Sequence, residues 1–266
     1  MPNPNPMFIP KPFSRQHAAS LFGGGDPSKI ALLMPILYHD YGFFIDEFVQ
    51  ALDTTRWTTA VAAGGGPTAF AYSAVRGGVI QGLTGATDND ALSIYLTQTF
   101  LDPADNPFLF IQWRSNAVTG FSFEIGFSDP KTDEALPGVT DVDTPAVGNG
   151  VTDIACLHMD TDQTLTSVAL VGDGTTGSAA SLSDPEGAGT TYTPTASAWQ
   201  TFIIGVRANI AFAYVWDGAG FAGRFSVGNG PDSAVLVRPY ALFRTRNTVS
   251  KTIDIRKFGA GWEQND

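Results

Sequence analysis

Residues 199–218 read Trp-Gln-Thr-Phe-Ile-Ile-Gly-Val-Arg-Ala-Asn-Ile-Ala-Phe-Ala-Tyr-Val-Trp-Asp-Gly, and this stretch decides the fold class. Two apolar segments flank a short turn, and the second segment ends at Asp217-Gly218. Short apolar runs bounded by turn residues are typical of a β-hairpin. The stretch therefore predicts one hairpin of an antiparallel β-sandwich. It leaves function open, because such sandwiches serve as lectins, hydrolases and structural modules.

Alternating apolar residues extend this interpretation along the chain. Phe121, Phe123, Ile125 and Phe127 occupy every second position and would share one face of a strand. Further strands are predicted at 94–96, 108–114, 165–171, 234–238 and 253–258, with Asp-, Asn- and Gly-rich turns between them. Many short strands at this spacing indicate an all-β sandwich or jelly roll. We expect it to form one domain over residues 39–266.

Residues 1–38 have a different composition and are predicted to form an extended N-terminal arm. Five prolines lie among the first twelve residues and favour an extended backbone. Short helices are expected at 14–22 and 26–35, and no signal peptide is expected. The arm carries apolar residues that a disordered tail would usually lack, so we expect it to lie along another surface. These candidate contact residues are Phe8, Ile9, Phe13, Leu21 and Phe22.

Composition excludes several classes of partner. The 266-residue chain has a formal net charge of -11, which argues against direct binding to nucleic acid. It has no run of 18 apolar residues, so no membrane span is expected. Its single cysteine, Cys156, excludes an intramolecular disulfide, and its apolar neighbours predict a buried thiol. His158 lies two residues away and would share a strand face with it.

Several segments, taken in order, resemble concanavalin A-like, laminin-G-like jelly rolls, in particular the version found in tailed-phage virion proteins. The resemblance covers about residues 41–264 and rests on segments 43–48, 52–57, 77–79, 84–90, 113–114, 123–129, 199–202, 217–218, 238–246 and 253–255. It implies a capsid decoration or cement protein, or in some cases a tail or fibre protein. The N-terminal arm lies outside the resemblance.

Carboxylate pairs suited to glycoside hydrolysis are missing from the predicted strands. Retaining enzymes need two carboxyl groups about 5–5.5 Å apart, which two same-face residues of one strand can supply. Glu124 has Ser122 and Gly126 at its same-face positions, and Asp254 has Arg256. The sequence therefore predicts a protein that is not an enzyme and needs no cofactor.

Three acidic motifs place oxygens at alternate positions, as calcium loops do: 88–90, 141–143 and 160–162. None continues into the Gly and bidentate Glu of an EF-hand, and Asp and Asn also end strands without an ion. We therefore expect no metal site. The Gly-rich segments 23–29 and 64–68 lack the ending of a phosphate loop and are predicted to be turns.

Tryptophans and long loops offer the other candidates for binding. Most of the five tryptophans lie in apolar strand patterns and are expected in the core, with Trp262 the most exposed. The Gly/Ser/Thr-rich stretch 173–198 and the similar stretch 128–150 are predicted to be surface loops, which often carry contacts.

Two functions follow as hypotheses. The first is a structural virion protein on the capsid surface, assembled in the host cytoplasm and bound to the major capsid protein through its arm. The resemblance adds a homo-oligomer, with a trimer as one form. The alternative is a glycan-binding tail or fibre module that contacts a host-surface glycan during adsorption, for which the 173–198 loop is suited.

Overall fold

The computed structural model describes residues 41–49, 51–62, 66–73, 78–141, 146–163, 166–172, 178–181, 191–232 and 234–263. The predicted arm, its two helices and its boundary with the sandwich domain lie outside these residues and stay predictions. Within the described ranges, no helix has the length and apolar character needed to cross a membrane.

The described chain is built from antiparallel strands and one short 3-10 helix at Pro103–Asp105. The strands are β1 Tyr41–Asp46, β2 Trp57–Val61, β3 Thr68–Ser73, β4 Val79–Leu83, β5 Ala91–Leu96, β6 Phe108–Ser115, β7 Phe121–Ser128, β8 Val139–Asp141, β9 Ala146–Val147, β10 Ile154–Asp160, β11 Ala169–Gly172, β12 Ser178–Ser181, β13 Gln200–Arg207, β14 Ile210–Asp217, β15 Gly220–Val227, β16 Arg238–Thr245 and β17 Thr252–Glu263. The predicted all-β class is confirmed.

Two sheets stack face to face. Sheet A has the order β15-β14-β13-β6-β17-β4-β3, and β1 pairs with the second half of β17. Sheet B has the order β12-β11-β10-β7-β16-β5-β2, and β8 and β9 form a separate pair. Neighbouring strands come from distant parts of the chain, as in a jelly roll.

Aromatic rings from both sheets meet in the core. Trp113 of β6 is fully buried, and its ring centroid lies 5.1 Å from that of Phe123 and 5.6 Å from that of Phe202. Phe243 of β16 lies 5.2 Å away on the sheet B side. The alternation predicted in β7 is confirmed, because Phe121, Phe123, Ile125 and Phe127 all belong to this core.

The hairpin that decided the fold class is present. β13 and β14 pair along their length, and a two-residue turn of Ala208 and Asn209 joins them. Both turn residues have left-handed backbone angles, with φ of 47° and 61°. That conformation is typical of the type I′ turn, whose twist matches the strands it connects. A second hairpin follows at once, because Asp217 pairs with Gly220 in β15.

Two predicted strands are displaced. The strand expected at 234–238 starts only at Arg238, because Asp232 caps a turn by accepting a hydrogen bond from the Ala234 backbone, 3.0 Å away. The strand expected at 165–171 is Ala169–Gly172. The stretch 173–198 is not loop throughout its described part, since it contributes β12, and Tyr192 is buried in the core.

Candidate functional site

Glu124 is the central polar residue on the outer face of sheet B, the face turned away from the core. Its same-face neighbours within β7 are Ser122 and Gly126, as the sequence indicates. Across the sheet it lies opposite His158 of β10 and Leu242 of β16. A strand residue contacts its cross-strand partners as closely as its neighbours two positions away. The partners of Glu124 therefore come from other strands.

Residues 129–141 and 146–153, which include β8 and β9, fold over this face, and we call them the roof. The backbone N–H groups of Gly138 and Val139 donate hydrogen bonds to the Glu124 carboxylate, at 2.9 and 2.7 Å. Val139 and Val151 of the roof also join an apolar cluster with residues of β10, β11 and β16. The prediction of a surface loop at 128–150 is right only in part, because most of the stretch is loop but Val139 and two of its backbone amides bind the sheet.

A buried ion pair lies between the roof and the sheet. Lys131 Nζ is 3.2 Å from Glu124 Oε2, and neither side chain has any exposed surface. The same ammonium group lies 3.9 Å from the centroid of the Tyr240 ring, a cation–π contact. The Tyr240 hydroxyl donates to Glu124 Oε2 at 3.1 Å. Four donor groups therefore surround one carboxylate.

The surroundings shift the pKa values of three groups in this cluster: Glu124, Tyr240 and Cys156. Burial by itself raises the pKa of Glu124, but the Lys131 charge and the adjacent His158 outweigh it and hold the pKa well below its usual range. Burial raises the pKa of the Tyr240 hydroxyl and of the Cys156 thiol. Glu124 is therefore a permanent anion and Cys156 a neutral thiol, which makes Cys156 a poor nucleophile. The buried thiol predicted at Cys156 is confirmed.

His158 shares the outer face with Cys156, as the sequence predicted. Its Nδ1 lies 3.6 Å from Glu124 Oε1, which is longer than a hydrogen bond. Within the described part of the chain, neither ring nitrogen has a hydrogen-bond partner, although the side chain is fully buried. His158 therefore packs against the cluster without a hydrogen bond that fixes its ring.

Ionic contacts hold the roof at its margins. Arg238 of β16 forms an ion pair with Glu134 of the roof and stacks its guanidinium group 4.4 Å from the Tyr95 ring centroid. At the base of the roof, the Asp129 carboxylate accepts from the Thr152 hydroxyl at 2.9 Å and from the Thr152 backbone at 3.1 Å. These contacts bind the roof to β16 and join its two ends to each other.

The carboxylates of one calcium-like motif are bound to arginines. Asp160 lies 2.6 Å from Arg244 and 2.9 Å from Arg246, and Asp162 lies 3.0 Å from Arg246. Arg246 also approaches Asp88 of the second motif, at 3.9 Å. Across the described ranges, no group of three or more His, Cys, Asp or Glu side chains could hold a metal. The third motif, 141–143, lies partly outside those ranges.

The tryptophans differ from one another in their surroundings. Trp57 and Trp113 are in the core, as expected. Trp262, expected to be the most exposed, is half-buried and packs edge-on against Phe100, with ring centroids 5.4 Å apart. Sequence alone could not show this, because the contact joins β17 to a loop more than 150 residues earlier.

Two arginines of central strands in sheet A contact the ring of Trp199, which precedes β13. The guanidinium carbons of Arg114 and Arg256 are 4.7 and 5.2 Å from its ring centroid. Arg114 also binds the Asp254 carboxylate at 2.8 Å through Nη2, and Gln81 donates to the same carboxylate at 2.8 Å. Asp254 therefore serves as a partner for basic and amide groups rather than as half of an acid pair.

An open cleft lies near strands β1 and β2, and we call it the edge cleft. It has a volume of about 320 Å³ and is lined by Phe44, Asp53, Thr55, Arg56, Leu96, Gln98 and Phe100. The Arg56 guanidinium stacks over the Phe44 ring at 5.4 Å, and Phe100 is 40% exposed. Hydrogen bonds from Thr55 hold the pKa of Asp53 below its usual value. The edge cleft thus combines aromatic surface with planar polar groups.

The sequence-predicted contact residues of the arm, Phe8, Ile9, Phe13, Leu21 and Phe22, lie outside the described residues. The polar cluster that the structure brings together was missed, namely Lys131, His158 and Tyr240 around Glu124. One signal could have indicated a covered face. Strand β10 reads Ile-Ala-Cys-Leu-His-Met-Asp, and a strand without apolar–polar alternation is typical of one buried on both faces.

Comparisons with known proteins give a fold but no family. No protein-family model matches the chain, and no curated protein matches it in sequence. Solved structures do match. A protein of unknown function from Shewanella oneidensis MR-1 has a TM-score of 0.57 at 10% identity, covering 90% of this chain and 94% of that one.

Two further matches have described roles of their own. The seed lectin of Lotus tetragonolobus has a TM-score of 0.53 at 9% identity, over 85% of this chain and all of the lectin chain. The CBM2 module of the evolved Dit of Lactobacillus casei BL23 phage J-1 has a TM-score of 0.53 at 11% identity, over 85% and 98%. At these identities the likeness shows the fold alone, which is the lectin-like, concanavalin A-like jelly roll.

Proposed function

We propose that this chain is a non-enzymatic structural protein of a tailed-phage virion, which decorates or cements the capsid surface. Its residues 1–38 would bind the major capsid protein, with Phe8, Ile9, Phe13, Leu21 and Phe22 as apolar contacts. The protein would be made in the host cytoplasm and assemble on the capsid as a homo-oligomer, a trimer in the form that the sequence resemblance implies.

The covered outer face of sheet B carries this proposal. It contains a carboxylate, an imidazole, a thiol and a phenol on three adjacent strands, the group types from which active sites are built. Catalysis requires a substrate to reach such groups, yet the roof leaves Glu124 and Lys131 with no exposed surface. The same contacts fix the roof in position. The cluster therefore favours a mechanical role in a rigid domain over chemistry.

The composition of the arm supports attachment to another surface. Prolines reduce the conformational entropy that an extended segment loses on docking, and apolar side chains gain from burial. The matched CBM2 module has the same fold and belongs to Dit of phage J-1. This match is compatible with a phage role for this chain.

Capsids that lack the protein would test the arm. The full chain is mixed with such capsids, and co-sedimentation is compared for the full chain, a variant without residues 1–22 and the triple variant Phe8→Ser/Phe13→Ser/Phe22→Ser. We expect the full chain to bind and both variants to lose at least about tenfold in affinity, because each loses buried apolar surface. Unchanged binding of the deletion variant would refute attachment through these residues.

The edge cleft favours a second candidate, a glycan-binding tail or fibre module. Binding pockets combine aromatic and apolar walls with a few polar groups that fix orientation. Phe44 and Phe100 could supply apolar faces for a sugar ring, and Asp53, Arg56 and Gln98 could supply donors and acceptors for its hydroxyls. A host-surface glycan would then be the partner.

A glycan array separates the two functions. If the edge cleft binds sugars, the full chain should give micromolar hits that Phe100→Ala and Gln98→Ala weaken by about tenfold, since each removes about 1–2 kcal/mol of contact. Val249→Ala, a change at an exposed apolar residue, serves as the matched control. An array without hits, or hits that both cleft variants retain, would contradict this candidate.

A further inference from the structure

A cationic and aromatic site lies on the outer face of sheet A, the face turned away from the core. Trp113 of β6 belongs to the core, so the next residue, Arg114, points outwards. The strand register places Arg114 beside Asp254 of β17, and its guanidinium carbon lies 4.7 Å from the ring centroid of Trp199. The guanidinium carbon of Arg256 lies 5.2 Å from the same centroid. We call Arg114, Trp199 and Arg256 the Trp199 site.

A β-bulge in β17 presents Arg256 at this site. The pairing of β17 with β6 shifts between Ile255 and Lys257, which leaves Arg256 as an extra residue of the ladder. Because Ile255 and Phe258 both belong to the core, the two residues between them lie on the outer face. Bulges often occur next to functional sites, where they re-aim a side chain. The bulge thus directs Arg256 to the Trp199 ring.

The Arg256 guanidinium group is available for an anion. Arg114 binds Asp254 through Nε and Nη2, both at 2.8 Å, so its charge is balanced. Among the described residues, Arg256 has neither a carboxylate nor a hydrogen-bond acceptor, and its contact is with the Trp199 ring. A guanidinium group that stacks on an aromatic ring keeps the N–H groups in its plane available for hydrogen bonds. The site therefore has an ordered cation with unused donors.

The Trp199 site is accessible and has a polar border. The Arg114 side chain is 32% exposed, and Trp199 and Arg256 are partly exposed. Uncharged polar residues lie beside Arg114 and its partner carboxylate, namely Gln81, Asn116 and Thr252. Sites that bind small ligands combine an aromatic surface with a few polar groups that fix orientation. The groups present suit a ligand that has a negative charge, hydroxyl groups and an apolar surface.

The charges around the site favour a ligand with a single negative charge. Asp254 and Glu47 balance the neighbouring cations Arg114 and Lys257, which leaves the one charge of Arg256. A phosphate monoester carries about −1.5 to −2 charges at neutral pH, and the Asp254 carboxylate would repel it. A carboxylate carries one charge and matches the planar fork of a guanidinium group.

An acidic sugar is a better carrier of that carboxylate than an acidic protein segment. A segment with several carboxylates would approach a chain whose formal net charge is already -11. A sugar unit brings one carboxylate together with hydroxyl groups, for which the polar border offers partners. Its apolar ring face can pack against the exposed part of Trp199.

We propose that the Trp199 site binds a carboxylated sugar unit of a glycan. Arg256 receives the carboxylate in a bidentate ion pair, and the Trp199 ring packs against the sugar ring. Arg114, fixed by Asp254, holds the indole in place. The site shares no residue with the edge cleft, and it stands whether or not the chain decorates a capsid.

A panel of glycans that each end in one carboxylated sugar tests this proposal on the full chain, with the carboxyl methyl ester of each glycan as its matched ligand. We expect at least one acidic glycan to bind at least about tenfold more tightly than its ester, because the ester accepts no charge-assisted hydrogen bonds from Arg256. Biolayer interferometry measures both affinities. A panel in which no acid binds more tightly than its ester would overturn the proposal.

Variants assign the preference to the site. Arg256→Gln should bind acid and ester equally, whereas Trp199→Ala should weaken both. Arg224→Gln, at an exposed position on sheet A, should keep the wild-type preference, as should Phe100→Ala in the edge cleft. Circular dichroism confirms that each variant is folded.

Two results would contradict the assignment. A preference for the acid that Arg256→Gln retains, or that Phe100→Ala removes, would place the carboxylate elsewhere on the chain. A glutamate-rich peptide that binds as tightly as the best acidic glycan, and loses its affinity in Arg256→Gln, would show that the partner is an acidic protein segment and not a sugar.

Discussion

The outer face of sheet B carries charged and hydrogen-bonding groups at its centre, whereas the outer face of sheet A carries aromatic rings at the corresponding place. On sheet B the cover is the roof, whose amides and Lys131 bind Glu124. On sheet A, Phe110, Thr201 and Trp216 are buried and Ile203 between them is partly buried, and we call this surface the aromatic face. No described strand covers it. The two outer faces of the sandwich thus differ in their chemistry.

The difference concerns how specific each cover must be. A buried carboxylate needs a cover that supplies a cation and donors for its hydrogen bonds, because an unpaired buried ion costs several kcal/mol. An aromatic face accepts any apolar layer of suitable shape. The roof must therefore be this segment in this register, whereas the aromatic face needs only an apolar segment. Contacts with other molecules are more readily exchanged on the second kind of surface.

Removal of the Lys131 charge should have the largest effect. Lys131→Met leaves Glu124 ionised and buried without a cation, which should lower the free energy of unfolding by about 3–5 kcal/mol. Urea denaturation followed by fluorescence measures this loss. The corresponding change on the aromatic face, Ile203→Ser, should cost less, because that residue is only partly buried and bears no buried charge.

A double variant shows whether the ion pair itself is responsible. Lys131→Met/Glu124→Gln removes both charges and keeps an acceptor for one of the roof amides, so it should be more stable than Lys131→Met alone. If the double variant were less stable by the sum of the two single losses, the pair would not be coupled and the role given to it would be wrong.

The pH dependence of stability should differ between the wild type and Glu124→Gln. The pKa of Glu124 is lower in the folded protein than in the unfolded chain. Its ionised form therefore stabilises the fold above the unfolded pKa of about 4.3, and this contribution is lost as the pH falls below that value. Between pH 4 and 3, wild-type stability should fall more steeply than that of Glu124→Gln, by up to about 1.4 kcal/mol per pH unit.

Parallel slopes for the two proteins in that range would contradict the assignment of a lowered pKa to Glu124. Asp254→Asn is a useful comparison, because its carboxylate is bound by Arg114 on sheet A and lies outside the roof. If only Asp254→Asn changed the pH slope of stability, the carboxylate responsible for the acid sensitivity would lie on sheet A and not in the cluster on sheet B.

Loosening of the roof margin should have a smaller effect. Arg238→Ala removes the ion pair with Glu134 and the contact with Tyr95, which should cost about 1–2 kcal/mol. It should also raise the labelling rate of Cys156, which lies under the roof, because the roof can then open without global unfolding. Arg224→Ala, at an exposed position on sheet A, should leave that rate unchanged. Equal rates in both variants would mean that Cys156 reacts only through global unfolding.

The sequence predicts the fold far better than it predicts the buried cluster around Glu124. The hairpin at 199–218 and the alternation of Phe121–Phe127 are local patterns, since a turn and a period of two are set by neighbouring residues. Both are present in the structure. The partners of Glu124 come instead from positions 131, 158 and 240, and the order of strands in a sheet decides which of them meet. A single sequence carries no local signal for that order.

The contacts of the roof with sheet B could not be predicted from its composition either. Its Gly, Pro, Thr and Asp content is that of a surface loop, and the prediction followed this composition. Val139 and Val151, together with two backbone amides, suffice to bind it to sheet B. Few contacts decide its position, and none of them belongs to a periodic pattern.

Hydrogen exchange of the Gly138 and Val139 amides tests most directly whether the outer face of sheet B is a permanently covered structural element. Both amides donate to Glu124, so their exchange reports each opening of the roof. We predict opening free energies close to that of global unfolding, and a marked loss of protection in Lys131→Met. Opening at only about 1–2 kcal/mol in the wild type would contradict the account, because Glu124, His158 and Cys156 would then be accessible to a substrate.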